Sequence, residues 1–361
     1  MSLKFDKSSL VLSSFWSLIF NLLISCILFK SLSLNDCEVI SSLVTKESCC
    51  ISDNLISEFS ICELGVAWLS ICKFAANKVE KKQKMFINCK GQLIDLTKPC
   101  VMGIINTTPD SFYSLSRTQI VADALKLAAK MLDEGATFID VGGQSTRPGS
   151  EPVSEDEELA RVLPIVEALA KEFPQNFISI DTYRATVAKA AVEAGACMVN
   201  DISSGDDDLH MIETVSKLKV PYVAMHKKGT PLTMHQQVNY TDIALEVFDY
   251  LSSKLVQLRA QGICDIVIDP GFGFGKTIAH NFELMHKLEV LKKLEVPLLI
   301  GISRKSMIWK TLETTPENAL HGTTTLNTLA LLQGANILRV HDVKPAMDCI
   351  AMMERYSHAN A

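Results

Sequence analysis

The strongest constraint on this chain is a unit that recurs four times. Gly135-Ala136 leads through Phe138-Ile139 to Asp140, and Gly195-Ala196 leads through Met198-Val199 to Asn200-Asp201. Gly262 leads through Ile266-Val267-Ile268 to Asp269, and Gly334-Ala335 through Ile337-Leu338 to Arg339. A helix closed by a glycine in the left-handed conformation, then a short buried strand, accounts for such a unit. The strands are unbroken apolar runs, as parallel strands covered on both faces require. The preceding segments carry helical stripes, Ile120, Ala124, Leu127, Ala128, Met131 and Leu132 in one, and Leu159, Val162, Leu163, Val166 and Leu169 in another.

Eight strands are predicted: Val101–Ile105, Phe138–Val141, Ile178–Ile180, Met198–Val199, Tyr222–Met225, Ile266–Ile268, Leu298–Ile300 and Ile337–Val340. Helical stretches separate most of them, with only the link between the third and fourth tight, so the expected fold is α/β, a (β/α)8 TIM barrel. Ahead of the first strand, Met85–Cys89 and Leu93–Leu96 around Lys90-Gly91-Gln92 predict a short β-hairpin that caps the barrel bottom.

Composition divides the chain at Met85. Residues 1–84 hold one glycine, Gly65, and no proline or arginine, but sixteen serines. A compact domain needs turns, and this segment lacks the residues that make them. We read residues 1–84 as a hydrophobic, Ser-rich extension or an upstream start, and residues 85–361 as the working domain. The apolar stretch Val11 to Phe29, preceded by Lys4 and Lys7, keeps a membrane anchor or signal peptide as an alternative for the extension. With 35 basic and 41 acidic side chains the net charge is −6, which points to no nucleic-acid partner. None of the eleven cysteines forms a C-x-x-C pair. Scattered thiols of this kind fit a reducing, cytoplasmic location.

Chemistry in such barrels sits at the carboxyl ends of the strands. Here those ends read Asn106-Thr107-Thr108-Pro109-Asp110-Ser111-Phe112, then Gly142-Gly143-Gln144-Ser145-Thr146-Arg147-Pro148-Gly149, then Asp181, Asn200-Asp201 and His226. The last three give Asp269-Pro270-Gly271-Phe272-Gly273-Phe274-Gly275, Gly301-Ile302-Ser303-Arg304-Lys305-Ser306 and Arg339-Val340-His341-Asp342. One such polar residue reads as a helix cap or a satisfied core group. Asp181, Asn200 and Asp269, at the ends of what are expected to be neighbouring strands, read instead as a binding surface.

From about Met85 to the C-terminus, these strings in this order resemble the dihydropteroate synthases. The resemblance implies a transferase of folate biosynthesis and a sulfonamide target. It would join 4-aminobenzoate to (7,8-dihydropterin-6-yl)methyl diphosphate and release diphosphate. It implies that Asp181, Asn200, Asp269 and Lys305 bind the pterin. Asn106, Thr146, Arg339 and His341 would bind diphosphate, with Asn106 as ligand to Mg2+. Thr146, Arg147, Pro148, Phe274, Lys305 and Ser306 would form the aminobenzoate pocket, and Lys305, Arg339 and His341 would be catalytic. A homodimer is implied too, and a membrane enters only if residues 1–84 are real and inserted.

Two departures from the family stand out: Tyr113-Ser114-Leu115-Ser116-Arg117 where glycines are common, and Gln144 where glutamate is common. Gly275-Lys276-Thr277 imitates the end of a phosphate loop, but Pro270 occupies the position of its first glycine. His226 is expected to be structural or to lie near a lid. Two other functions share the barrel and the pterin slot: a corrinoid-dependent pterin methyltransferase, and a pterin-binding paralogue without catalysis.

Overall fold

The computed structural model describes residues 85–107, 117–144, 153–229 and 239–358. Lys90 and Gly91 both take positive φ, 52° and 77°, the backbone of a two-residue hairpin turn. They join β1 (Phe86–Cys89) to antiparallel β2 (Gln92–Asp95), with Cys89 opposite Gln92. Gln92, expected in the turn, begins the strand instead, because the left-handed pair before it completes the reversal.

Eight parallel strands follow: β3 (Cys100–Asn106), β4 (Phe138–Gly142), β5 (Phe177–Asp181), β6 (Met198–Asp201), β7 (Tyr222–Met225), β8 (Ile266–Asp269), β9 (Leu299–Ile300) and β10 (Ile337–Val340). Their order is β8-β7-β6-β5-β4-β3-β10-β9, and a parallel bridge from Ile268 to Leu298 joins the two ends. The helices between them are α1 (Arg117–Asp133), α2 (Glu155–Glu172), α3 (Ala185–Glu193), α4 (Met211–Leu218), α5 (Ile243–Ala260), α6 (Ile278–His286), α7 (Ser306–Trp309), α8 (Leu320–Leu332) and α9 (Val343–His358). This is the expected (β/α)8 barrel. Gly135, Gly195, Gly262 and Gly334, the four expected helix stops, take φ of 102°, 121°, 81° and 100°. Only glycine adopts such values without strain.

The core has two parts. A larger shell lies between helices and strands, with Val101, Ile139, Ile180, Val199, Ala224, Ile268 and Leu338 on the sheet side. A second cluster closes the lumen at the amino ends of the strands. Ile87, Cys89 and Leu96 of the hairpin region pack there on Met102, Phe138, Met198, Val223, Val267, Leu299 and Ile337, with Phe177 at its edge. Every barrel strand contributes to this plug, so the hairpin does cap the bottom. No helix among the described residues is long and apolar enough to cross a membrane.

Candidate active site

Strand side chains alternate between faces, so residues two and four beyond the plug also face the lumen. Two beyond Phe138, Met198, Val267 and Ile337 stand Asp140, Asn200, Asp269 and Arg339; four beyond Met102, Phe177 and Ile337 stand Asn106, Asp181 and His341. The floor of the barrel is therefore apolar and its mouth polar, by strand periodicity alone.

The bonds agree. Arg339, on β10, donates from Nε to Asp140 Oδ2 on β4 at 2.6 Å and from Nη2 to Asp181 Oδ2 on β5 at 2.6 Å. Since β3 lies between β10 and β4, both bonds cross the lumen. Asn200 Nδ2 donates to the same Asp140 Oδ2 at 3.0 Å. Asp269 accepts from Gly271 N at 2.7 Å. A β-carbon on Gly301 would sit 3.9 Å from both Arg339 Cβ and Asp269 Oδ2, so this glycine lies between them. Asp181, Asn200 and Asp269 thus share one cup with Arg339. The strands of Asp181 and Asn200 are neighbours, whereas that of Asp269 is separated from them by β7, the predicted Tyr222–Met225 strand.

Burial governs the charges of the cup. It pushes the Asp181 carboxyl up to about 7, against the opposing pull of the Arg339 guanidinium. It raises Asp269 too, opposed first by Lys305. Lys305 is pushed down to about 8 by burial, opposed by Asp269. Its ammonium donates to the Phe272 carbonyl and lies 4.6 Å from the centre of the Phe274 ring.

The loops at the rim are tied by their own side chains. His341 Nδ1 and Ser303 Oγ are 3.0 Å apart. Arg304, at φ 56°, makes a two-pronged pair with Asp342 at 3.0 and 2.7 Å. This pair joins the segment bearing Lys305 and Ser306 to the segment bearing His341. Gly271, Gly273 and Gly275 all have positive φ, which folds the loop after β8 tightly beneath Phe274. Lys276 is buried under that loop. It donates to the carbonyls of Gly271 at 2.8 Å and Phe274 at 3.1 Å and lies 2.9 Å from His226 Nδ1. The phosphate-loop lookalike is thus a structural anchor, and His226 is its buried partner.

Asn106 and Asp181 flank Gly142, whose missing β-carbon would lie 3.6 Å from Asn106 Oδ1 and 3.5 Å from Asp181 Oδ2. Thr146, Arg147 and Pro148, and the departure at residues 113–116, lie outside the described residues. Gln144 is described, and its Oε1 is buried without a hydrogen-bond partner among the described residues. Among the described residues no three His, Cys, Asp or Glu side chains cluster to hold a metal.

Sequence reasoning named Asp140 only as the end of a repeat unit and gave it no place in the site. The signal was present: Asp140 follows Phe138 as Asn200 follows Met198 and Arg339 follows Ile337. Glu158 was not singled out either. It is buried, and its carboxylate pairs with the Arg184 guanidinium, which also donates to the carbonyl of Val153 at 2.6 Å.

The profile of the family described as pterin binding enzyme matches residues 102–341. The dihydropteroate synthase of Escherichia coli K12 is 40% identical over 272 residues, 75% of this chain and 96% of that one. The crystal structure of the Yersinia pestis dihydropteroate synthase with a sulfonamide drug complex superposes with a TM-score of 0.71 at 39% identity, covering 76% of this chain and 100% of that one. The Xanthomonas albilineans dihydropteroate synthase in complex with 7,8-dihydropteroate gives 0.68 at 35% identity, covering 75% and 98%. A profile match across the polar mouth, with relatives of this identity and coverage, shows that the chain belongs to the dihydropteroate synthases of the pterin-binding enzyme family.

Proposed function

We infer that the barrel mouth carries out the reaction of that family. It joins 4-aminobenzoate to (7,8-dihydropterin-6-yl)methyl diphosphate and releases 7,8-dihydropteroate and diphosphate. The observation that carries the reading is the convergence of Asp181, Asn200, Asp269 and Arg339 in one cup above an apolar plug.

A dihydropterin presents a row of N–H donors and a carbonyl along its edge. A buried slot that reads it needs matching acceptors, because unmatched polar groups are costly there. Asp181 and Asp269 supply carboxylates, and Asn200 an amide whose nitrogen is already committed to Asp140. Lys305 lies at the Phe274 side of the cup, where it can meet both substrates. Phe274, Ser306 and the segment Thr146-Arg147-Pro148 are assigned to the aminobenzoate, with Phe274 packing on its ring.

The step is cleavage of the pterin methylene carbon–oxygen bond, with diphosphate taking the electron pair. The neutral aromatic amine then forms the new carbon–nitrogen bond and gives up a proton to solvent. Arg339 and His341, with Thr146, are assigned to the departing diphosphate, and the apolar floor keeps water from the cationic methylene. The amide of Asn106 offers an uncharged oxygen, and no hydrogen-bond partner for its side chain stands among the described residues, which suits one ligand position of Mg2+. When bound, that ion would neutralise diphosphate charge.

Residues 85–361 carry the activity in this reading, and residues 1–84 are a dispensable extension. The chain works in the cytoplasm, as the free cysteines among the described residues, Cys89, Cys100, Cys197, Cys264 and Cys349, suit. By its family membership it pairs with a second copy of itself. Sedimentation at rising concentration tests the dimer. A coupled assay of diphosphate release, requiring both substrates and Mg2+, tests the chemistry. Methyl transfer from methyltetrahydrofolate to a corrinoid protein, or no turnover with both substrates, would defeat it.

A further inference from the structure

Asp140 has no part in the reaction as set out above, yet it is fully buried in the cup. Burying a carboxylate is costly unless its charge is used. Its Oδ2 serves two donors at once, Arg339 Nε at 2.6 Å and Asn200 Nδ2 at 3.0 Å. Among the described residues its Oδ1 has no hydrogen-bond partner, and neither has Ser179 Oγ on the neighbouring strand, in register with it. One oxygen therefore does all the bonding, and both its partners belong to the proposed substrate site.

Arg339 grips two carboxylates with different nitrogens. Nη2 holds Asp181, which is assigned to the pterin, and Nε holds Asp140. A pterin that bonds to Asp181 competes with Nη2 for that carboxylate. It does not compete with Nε, because Asp140 lies two residues closer to the plug in its own strand. The opened Nη2 is then available to the substrate while the guanidinium stays anchored. The same Asp140 oxygen fixes Asn200 with its amide nitrogen turned inward, leaving Oδ1 for the ligand.

We propose that Asp140 is a positioning residue: the pivot that holds Arg339 when the pterin takes over Asp181, and that orients Asn200 as an acceptor. The proposal rests on the synthase reading of this site and adds to it a residue that touches no substrate.

The test is a double-mutant cycle in steady-state turnover on the full chain, with Asp140→Asn, Arg339→Met and the double variant. Asp140→Asn is expected to lower kcat/KM for the pterin diphosphate by roughly 10- to 100-fold while KM for 4-aminobenzoate stays within about threefold. The two losses are expected not to multiply, because the pivot acts largely through Arg339. Ser179→Ala, in register with Asp140, is expected to keep native rates. Losses that multiply, or an Asp140→Asn enzyme within about threefold of native, would overturn the pivot. Should Asp140→Asn fail to fold, the native protein answers by NMR. The Arg339 Nε–H signal is expected to stay protected when pterin diphosphate is added, and its loss would overturn the proposal. Native turnover in the same assay is the separate check on the synthase reading, since a native chain that makes no dihydropteroate defeats that reading itself.

Discussion

Arg339 Nη2 lies 2.6 Å from Asp181 Oδ2, across the barrel lumen from β10 to β5. The residue assigned to the leaving group and a residue assigned to the pterin are thus in direct contact. On this account, removing the carboxylate of Asp181 or of Asp269 takes away a charged acceptor inside a buried slot. Asp181→Ala and Asp269→Ala are each expected to weaken pterin diphosphate binding on the order of 100-fold. Titration calorimetry measures it, and near-native affinity in either variant would refute the assigned slot.

The same contact sets the pH response. Asp181, pushed up to about 7 by burial, must be ionised to accept from the pterin. Lys305, pushed down to about 8 by burial, must be protonated to act as a cation. The kcat/KM for pterin diphosphate is therefore expected to rise with pH through about 7 and to fall above about 8. A profile flat from pH 6 to 9 would contradict both assignments.

Lys276 and His226 make a stability prediction with a definite sign. Burial and the nearby Lys276 hold the His226 ring neutral down to about 2, whereas the ordinary imidazole titrates at 6.5. Between these values the unfolded chain binds a proton that the folded chain refuses. The contribution of His226 to stability is full above 6.5 and is lost as the pH drops toward 2. His226→Gln is expected to flatten that part of the acid slope in urea denaturation curves. Lys276→Met leaves the Gly271 and Phe274 carbonyls without their donor, and is expected to cost about 3 kcal/mol.

Gly271 cannot carry a side chain. Its φ is +69°, and a β-carbon there would lie 1.9 Å from the His226 carbonyl oxygen. Gly271→Ala is expected to lose at least about 2 kcal/mol and to displace Phe274, raising KM for 4-aminobenzoate. Thermal unfolding and the KM of each substrate, measured together, check this.

Residues 1–84 are expected to be dispensable. A chain beginning at Met85 keeps the whole hairpin plug, from Ile87 and Cys89 to Leu96. Its turnover is expected to match that of the full chain, and a folded but inactive Met85 chain would overturn the assignment.

Much of this was legible in the sequence, for a physical reason. Buried parallel strands must be apolar runs, and helices before them must stop abruptly, so Gly135, Gly195, Gly262 and Gly334 mark the units unaided. The polar residue after each run sits at a strand end because that is where a lumen opens. What a linear reading misses is pairing across the lumen. Asp140 meets Arg339 over a separation of 199 residues, and Asn200 over 60. No local pattern shows that one oxygen serves both. The sequential order of strands around the barrel, with β7 between the strands bearing Asn200 and Asp269, follows from the repeating unit itself. The lysine of Gly275-Lys276-Thr277 shows the converse: a motif-like string whose side chain is spent on neighbouring carbonyls.

The most direct test incubates the purified chain with 4-aminobenzoate, (7,8-dihydropterin-6-yl)methyl diphosphate and Mg2+, and follows products by mass spectrometry. The account predicts 7,8-dihydropteroate and diphosphate in equal amounts, both lost in Asp181→Ala. Equal product formation by Asp181→Ala, or no dihydropteroate from the native chain, would contradict it.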